Sequence, residues 1–473
     1  MTAVGIDIGT SNTKVVRVED GVGTIVLNRP TPTGLDALLG VVSAGLRGAT
    51  AAGPVDAVGI ASMAESGYPL DADAAALTPL LSWRDARDDT DIRELARRLG
   101  ADALFAATGV RPGPKPSLAV WLWLRTRHPD TFAAMRHWAG VADAVHHALT
   151  GELRTDHTLA GRTLAYRLPP TNHSLATTFD AALLAEAGLT PARLPHVGLP
   201  GEAPARSHRT AWQATGLRTG TPVIVAGHDH QVAAWAAGVR DVGQVADSVG
   251  TAEAMLNLVG RVPDRPAVRA QGMSVVRTVD GDTEALLAGT GTAGGFLQWL
   301  ADRHTDGDVS RLLAGTDPAD VENDLLARDA WLLPYPAGRQ CPAPDPRARV
   351  RVVGGQPAHL GLAALEALGY QAQWVIEAQS GLAGHPITGL SLSGHPLHRS
   401  PLWPRIRATL ARVPATLTAA TEPVAIGAAL LALERAGLGD GTPLPAAPIA
   451  PLPGSPDRYR DRLRAFIASA RAA

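Results

Sequence analysis

Cysteine is nearly absent from this chain, with Cys341 alone among 473 residues. An intramolecular disulfide and a multi-thiolate zinc site are therefore both excluded. Aromatic residues make up only 4%, and no run reaches the ~18 uncharged apolar residues that would cross a bilayer. Neither sign of charge dominates, with 43 basic against 45 acidic residues and a formal net charge of -2. That balance gives neither the affinity for phosphate backbones that a nucleic-acid binder needs nor a polybasic face for an anionic membrane. A small molecule is the expected partner, with no nucleic acid and no membrane. The segment Met1–Asp7 lacks a basic region and has an aspartate where an apolar signal core would run, so a cytoplasmic location is expected. Lysine is scarce as well: only Lys14 and Lys115 occur among the basic residues. The rest are arginines, which reads as genomic base composition and leaves two lysines worth locating.

What is present is ordinary globular material, 45% apolar and 19% charged. The length is about three times a ~150-residue domain, so two large domains or three smaller ones are expected. Val4–Gly9, the polar turn Thr10–Thr13 and Lys14–Val18 read as a β-hairpin. Leu35–Ala51 has helical apolar spacing, Val55–Ser62 is a buried-type strand, and Asp91–Leu99 is an amphipathic helix. Residues 117–150 are helix-rich and 165–222 mostly loops. Pro222–Ala226 is a strong strand, broken at Gly227-His228-Asp229-His230 and followed by helix-forming Gln231–Ala237. Gly243–Thr251 and Ala252–Val259 then repeat the grammar of the N-terminus, which predicts a duplicated α/β architecture divided near 240. A long helix at about 358–383, a strand near Thr388–Leu392, helices near 401–412 and 424–436, and an irregular tail before a short terminal helix complete the chain.

Three motifs carry chemistry. Asp7-x-Gly9-Thr10-x-x-Thr13 puts a carboxylate at a strand end before a turn of small residues whose N–H and hydroxyl groups can converge on a phosphate; a plain hairpin turn is the bland alternative. Gly289-x-Gly291-x-x-Gly294 matches the dinucleotide fingerprint, but no second strand follows promptly, so a helix start close to a nucleotide, or one merely packed through glycine, fits better. His228-Asp229-His230 offers metal-type ligands, yet side chains alternating along an extended turn point apart. Asp229 is then either a general base facing a cleft or a helix N-cap.

Taken in order, these pieces resemble the FGGY carbohydrate kinase family over nearly the whole chain. Val4–Lys14 resembles its first phosphate loop; Leu70–Asp73 with Leu80–Arg87 resembles its sugar-site hairpin and Trp-x-Asp-x-Arg element. Leu149–Glu152 with Thr155-Asp156 is a further landmark, and Ala226–Asp229 is similar to the Gly-x-Asp segment of the family's base. Gly250-Thr251 resembles the second phosphate loop and Gly294–Trp299 the helix that meets the nucleotide. Leu332–Tyr335 before Arg339 and Pro342 is similar to the Pro-Tyr loop, and Glu422–Ala429 to the C-terminal Glu-x-x-Ala-x-Gly-Ala-Ala element. Ser393–Ser400 departs from the usual run of glycines in the adenosine loop, and Met63-Ala64-Glu65 matches neither the glycerol nor the xylulose kinase pattern.

The resemblance implies an actin-like ATPase (ribonuclease H-like) fold, with an N-terminal domain over 1–240 and a C-terminal nucleotide-binding domain over 241–473 around a deep cleft. It implies ATP-dependent phosphorylation of a small sugar or polyol with Asp229 as general base and Asp7 on Mg2+. Gly9, Thr10, Ser11, Thr13, Gly250 and Thr251 would hold phosphates, and Gly294, Gln298, Gly394, His395 and Arg399 the rest of the nucleotide. Glu65, Trp83, Arg84, Asp229 and His230 would line the acceptor site. Because Glu65 and Asp229 are both anionic, a neutral acceptor is expected over a sugar acid unless a cation such as Arg84 offsets Glu65. A cyclitol kinase and a non-catalytic sugar or nucleotide sensor stay open, as does a homodimer.

Overall fold

The computed structural model describes residues 1–171, 173–208, 210–262, 264–316, 330–355, 357, 359–453 and 456–472. They form two α/β units. The first comprises Met1–Gly238, Val275–Glu284 and Glu422–Leu444; the second comprises Val239–Ser274, Ala285–Thr421 and Pro445–Ala473. Where the sequence suggests a single division at 240, two later segments rejoin the first unit.

The sheet of the first unit runs Val22–Pro30, Asn12–Glu19, Thr2–Ile8, Ala57–Ser62, Pro222–His228, Ala205–Arg206. Thr2–Ile8 pairs antiparallel with Asn12–Glu19 and parallel with Ala57–Ser62, which pairs parallel with Pro222–His228. The inner strands are buried on both faces, as their unbroken apolar runs require. One face is covered by Leu35–Ala51 and Val141–Thr150, whose Leu38, Val42, Val141 and Val145 join Ile6, Ile60 and Val225 in one core. On the neighbouring strands Gly5 is the register partner of Gly59. A Cβ on Gly5 would fall 1.6 Å from the Ala425 carbonyl oxygen, and one on Gly59 1.8 Å from that of Ala428. The helix Pro423–Arg435 therefore lies directly on the strand backbones through small residues. This is the physical content of the Glu422–Ala429 run, and why that helix belongs to the first unit.

The second unit repeats the plan. Its strands run Glu284–Thr290, Glu253–Gly260, Gln244–Val249, Gly389–Ser393, Ala415–Thr418, Ala446–Pro448. Gln244–Val249 is antiparallel to Glu253–Gly260 and parallel to Gly389–Ser393. The expected long helix is Leu360–Ala383.

Several elements lie outside the sequence reading. Val22–Pro30 is an exposed edge strand without a clear buried face, and His137–Gly140 is a short strand paired with Gly67–Leu70 inside the helix-rich stretch. Ala446–Pro448 extends the second sheet within the Pro-rich tail, whose residues 454–455 lie outside the described residues, and the terminal helix is 16 residues long, Pro456–Arg471. Among the described residues no helix is long and apolar enough to cross a membrane.

Candidate active site

Three parallel strands of the first unit deliver side chains at their carboxyl ends, where open α/β sheets bind ligands. Thr2–Ile8 carries Asp7 and leads into Gly9-Thr10; Ala57–Ser62 leads into Met63-Ala64-Glu65; Pro222–His228 leads into Asp229. Thr10 Oγ1 accepts from the Trp83 indole N–H at 3.0 Å and lies 3.5 Å from Met63 Sδ, so the first turn and the Trp83 ring are joined directly. Gly9 N–H donates to the Asn12 carbonyl at 3.0 Å, closing the turn. Thr13 is buried and shares a hydrogen bond with Thr31, while Ser11 is exposed at the tip.

Asp7 is buried. Desolvation, followed by repulsion from Asp229 and Glu422, pushes its pKa up to about 7, with Lys14 pulling the other way. Lys14 is already engaged, its ammonium contacting the Glu422 carboxylate. Lys14 thus serves both Glu422 and Asp7, and Asp7 offers a buried carboxylate, the oxygen type that a hard divalent cation takes.

Asp229 is the first residue of the helix Asp229–Ala236, and no side-chain cap is made by His228 before it. Its Oδ1 accepts from the His230 backbone N–H at 2.6 Å and lies 3.2 Å from His228 Nε2 and 3.8 Å from His230 Nε2. No hydrogen bond to its Oδ2 occurs among the described residues. Contrary to the expectation that these three side chains point apart, their ligand-type atoms lie within 4.8 Å of one another. The strand ends at His228 and a helix begins at Asp229, so the alternation of an extended chain stops between them. Burial depresses the His228 imidazole to about 3, so it is neutral and brings no charge compensation to the carboxylate beside it.

A bulge aims this segment. Register shifts between Val225 and Gly227, and Gly227 takes φ +131°, where a Cβ would lie 2.5 Å from Thr158 Oγ1 and 3.0 Å from Asp156 Oδ1. Thr158 Oγ1 accepts from the His228 N–H at 2.9 Å and donates to Asp156 Oδ1 at 2.6 Å. Asp156 is buried and paired with Arg435 at 3.2 Å. Despite its burial, contacts to His157, Arg435 and Thr158 hold its pKa down at about 2.

Glu65 sits at φ +61° just past its strand. Arg162 Nη2 donates to its Oε1 at 2.7 Å, so its charge is offset by Arg162 and not by Arg84. Arg84 and Lys115 both lie against the Trp83 ring, at 5.2 and 4.7 Å from its centroid.

In the second unit Gly250-Thr251 turns between its first two strands, with Gly250 N–H donating to the Ala252 carbonyl at 2.8 Å. The N–H groups of Gly294 and Gly295, opening the helix Gly294–His304, donate to the carbonyls of Gly250 and Thr251 at 3.0 and 2.8 Å. These helix-start donors are spent on the turn, as in the glycine-packed alternative. Gln298 is tied by its amide to Asp302 and Gly307 at 2.8 and 3.0 Å. Gly394 has φ +121°, and a Cβ there would meet the Val249 carbonyl oxygen at 1.9 Å. Its glycine is thus required by the chain's own backbone. His395 and Arg399, on the five-residue helix His395–Arg399, are exposed.

Residues 44–236 match the FGGY family of carbohydrate kinases, N-terminal domain, and residues 248–435 match the C-terminal domain of the same family. The chain belongs to the FGGY family. Its similarity to the L-fuculokinase of Haemophilus influenzae is 28% identity over 221 residues, 46% of this chain and 45% of that protein. The match therefore spans about half the length of that relative. The gluconokinase of Bacillus subtilis is 22% identical over 428 residues, 87% of this chain and 81% of that protein. Among solved structures, the ligand-bound xylulose kinase from Lactobacillus acidophilus superposes with a TM-score of 0.86 at 20% identity, covering 100% of this chain and 98% of that one. The fold is that of the FGGY kinases, two α/β domains of the actin-like ATPase type.

Within that FGGY framework, sequence reasoning missed four residues at the site: Arg162, Lys115, Glu422 as the partner of Lys14, and Arg435 as the partner of Asp156. Lys115 had a visible signal, being one of only two lysines. Arg162 had none, since it is one of many arginines and meets Glu65 only through the fold.

Proposed function

We propose that this protein is an ATP-dependent kinase of a small carbohydrate, transferring the γ-phosphoryl group of ATP to an acceptor hydroxyl. The observation that carries the reading is the convergence of Asp7, Thr10, Glu65, Trp83 and Asp229 at the carboxyl ends of three parallel strands. Names of relatives support the class: they include an L-fuculokinase, a gluconokinase and a xylulose kinase.

In this reading Asp229 Oδ2 takes the proton of the acceptor hydroxyl while Oδ1 stays fixed by the His230 backbone N–H, with neutral His228 packed beside it. The Thr158–Asp156–Arg435 chain holds the bulge, and so holds Asp229, without touching substrate. Trp83 covers an apolar sugar face and is itself fixed by Thr10. Asp7 would hold Mg2+, with Asp229 and Glu422 adding negative potential; when bound, that ion neutralises the charge on the transferring phosphoryl group. Each unit has a small-residue turn suited to a phosphate, Gly9-Thr10-Ser11 in the first and Gly250-Thr251 in the second. Gly394, His395 and Arg399 would flank the adenosine, whereas Gly294 and Gln298 support the Gly250 turn and the 302–307 segment from within the second unit.

The test is ADP release from Mg-ATP across a panel of trioses to heptoses, sugar acids and polyols. The reading expects acceptor-dependent ADP release, abolished by chelation and restored by added Mg2+. Nucleotide and sugar binding without acceptor-dependent release would point instead to a sensor that kept the fold.

A further inference from the structure

The acceptor region holds more positive charge than a neutral sugar needs. Partial desolvation lowers the Lys115 pKa, Glu65 opposes that and the Arg162 and Arg111 charges add to it; the one carboxylate among these groups is spent on Arg162 at 2.7 Å. Lys115 has no carboxylate within salt-bridge distance among the described residues. Its side chain as a whole reaches solvent, while the ammonium, 4.7 Å from the Trp83 ring centroid, is partly desolvated by its surroundings. Arg162 retains a buried Nη1 without a hydrogen-bond partner among the described residues.

The lysine is also presented rigidly. It stands in Arg111-Pro112-Gly113-Pro114-Lys115-Pro116, where three prolines restrict the backbone. The helix Ser117–Arg127 follows at once, and its Leu118 N–H donates to the Thr163 carbonyl at 3.0 Å. Lys115 and Arg162 therefore come from two segments tied to each other. A partly desolvated ammonium held against a tryptophan, with a guanidinium carrying an unspent donor on the segment tied to it, is a receptor for an anion on a ligand whose apolar face stacks on the ring.

We propose that the acceptor is a sugar acid, its carboxylate bound by Lys115 beside Trp83 with Arg162 as the second cation. This rests on the acceptor-site reading above and reverses the expectation of a neutral acceptor, which took Glu65 as uncompensated. Its test does not need turnover. Calorimetry on the full chain, without nucleotide, compares five- and six-carbon aldonates with the alditols of the same configuration, for the parent, Lys115→Met and Glu65→Gln. We expect at least one aldonate to bind at least about tenfold more tightly than its alditol. Lys115→Met should lose at least about tenfold on that aldonate and leave the alditol unchanged, the size of a charge-assisted contact. Glu65→Gln, which frees Arg162, should hold or strengthen aldonate binding. Equal binding of acid and alditol, no binding by any member of the panel, or a Lys115→Met protein with parental aldonate affinity would overturn the proposal. Aldonate binding without phosphoryl transfer would sink the kinase reading and leave only the carboxylate site at Lys115 standing; efficient transfer to alditols alone would keep the kinase reading and overturn the sugar-acid acceptor.

Discussion

Asp7 is buried beside Asp229 and Glu422 with only Lys14 to offset them, and its carboxyl accordingly rises to about 7. A group raised in this way binds a proton in the folded protein at pH values where the unfolded chain has released it, so its contribution falls as pH rises from about 4 to about 7. Asp143, also raised to about 7 by burial, acts in the same direction, while His228 and His146, depressed to about 3 and 4, act in the opposite one. The informative quantity is thus a difference: without metal, Asp7→Asn should gain stability relative to the parent as pH rises through that window. Urea unfolding of both proteins at pH 5 and pH 8 checks it, and a pH-independent difference would show that Asp7 does not titrate there. Mg2+ should stabilise the parent more at pH 8 than at pH 6, because cation and proton compete for Asp7, and should not stabilise Asp7→Asn.

Gly227 shows how a strand is bent to aim a side chain. Gly227→Ala must force a Cβ against Thr158 and Asp156 at φ +131°, which should cost about 1–3 kcal/mol and displace Asp229. The denaturation midpoint and turnover should both fall. Arg435→Ala leaves Asp156 charged and buried, a loss of about 3–5 kcal/mol for breaking such a pair; an unchanged midpoint would show that Asp156 is neutral or solvated. At this scale the sequence was legible wherever periodicity or turn chemistry was strong. Leu35–Ala51, Pro222–His228 and Leu360–Ala383 are found essentially where their apolar patterns put them. Val22–Pro30 and His137–Gly140 were not legible, because an exposed edge strand has no buried face to leave a pattern and a four-residue strand is shorter than its helical surroundings. Asp7, Thr10 and Asp229 were legible as candidates because strand ends and small-residue turns mark them. The Glu65–Arg162 and Asp156–Arg435 pairs were not, since each joins residues 97 and 279 positions apart.

The molecule is two copies of one sheet plan in which the first copy is completed by a helix from near the end of the chain. Because Ala425 and Ala428 lie on Gly5 and Gly59, a fragment ending at 240 would leave that sheet face bare. Such a fragment should fail to fold cooperatively, whereas one that appends residues 422–444 through a linker should recover a sigmoidal unfolding transition; cooperative folding of the short fragment would contradict this account of the helix. The same sheet delivers Asp7, Thr10, Glu65 and Asp229 from one edge, and Asp229 is the group on which the proposed chemistry turns. The most direct measurement is therefore acceptor-dependent ADP release by Asp229→Asn beside the parent, with acceptor affinity followed by calorimetry. A general base predicts a fall in kcat of at least ~10²-fold with acceptor affinity nearly unchanged. Parental turnover in Asp229→Asn would contradict the account and reduce Asp229 to a helix-start residue held by two histidines.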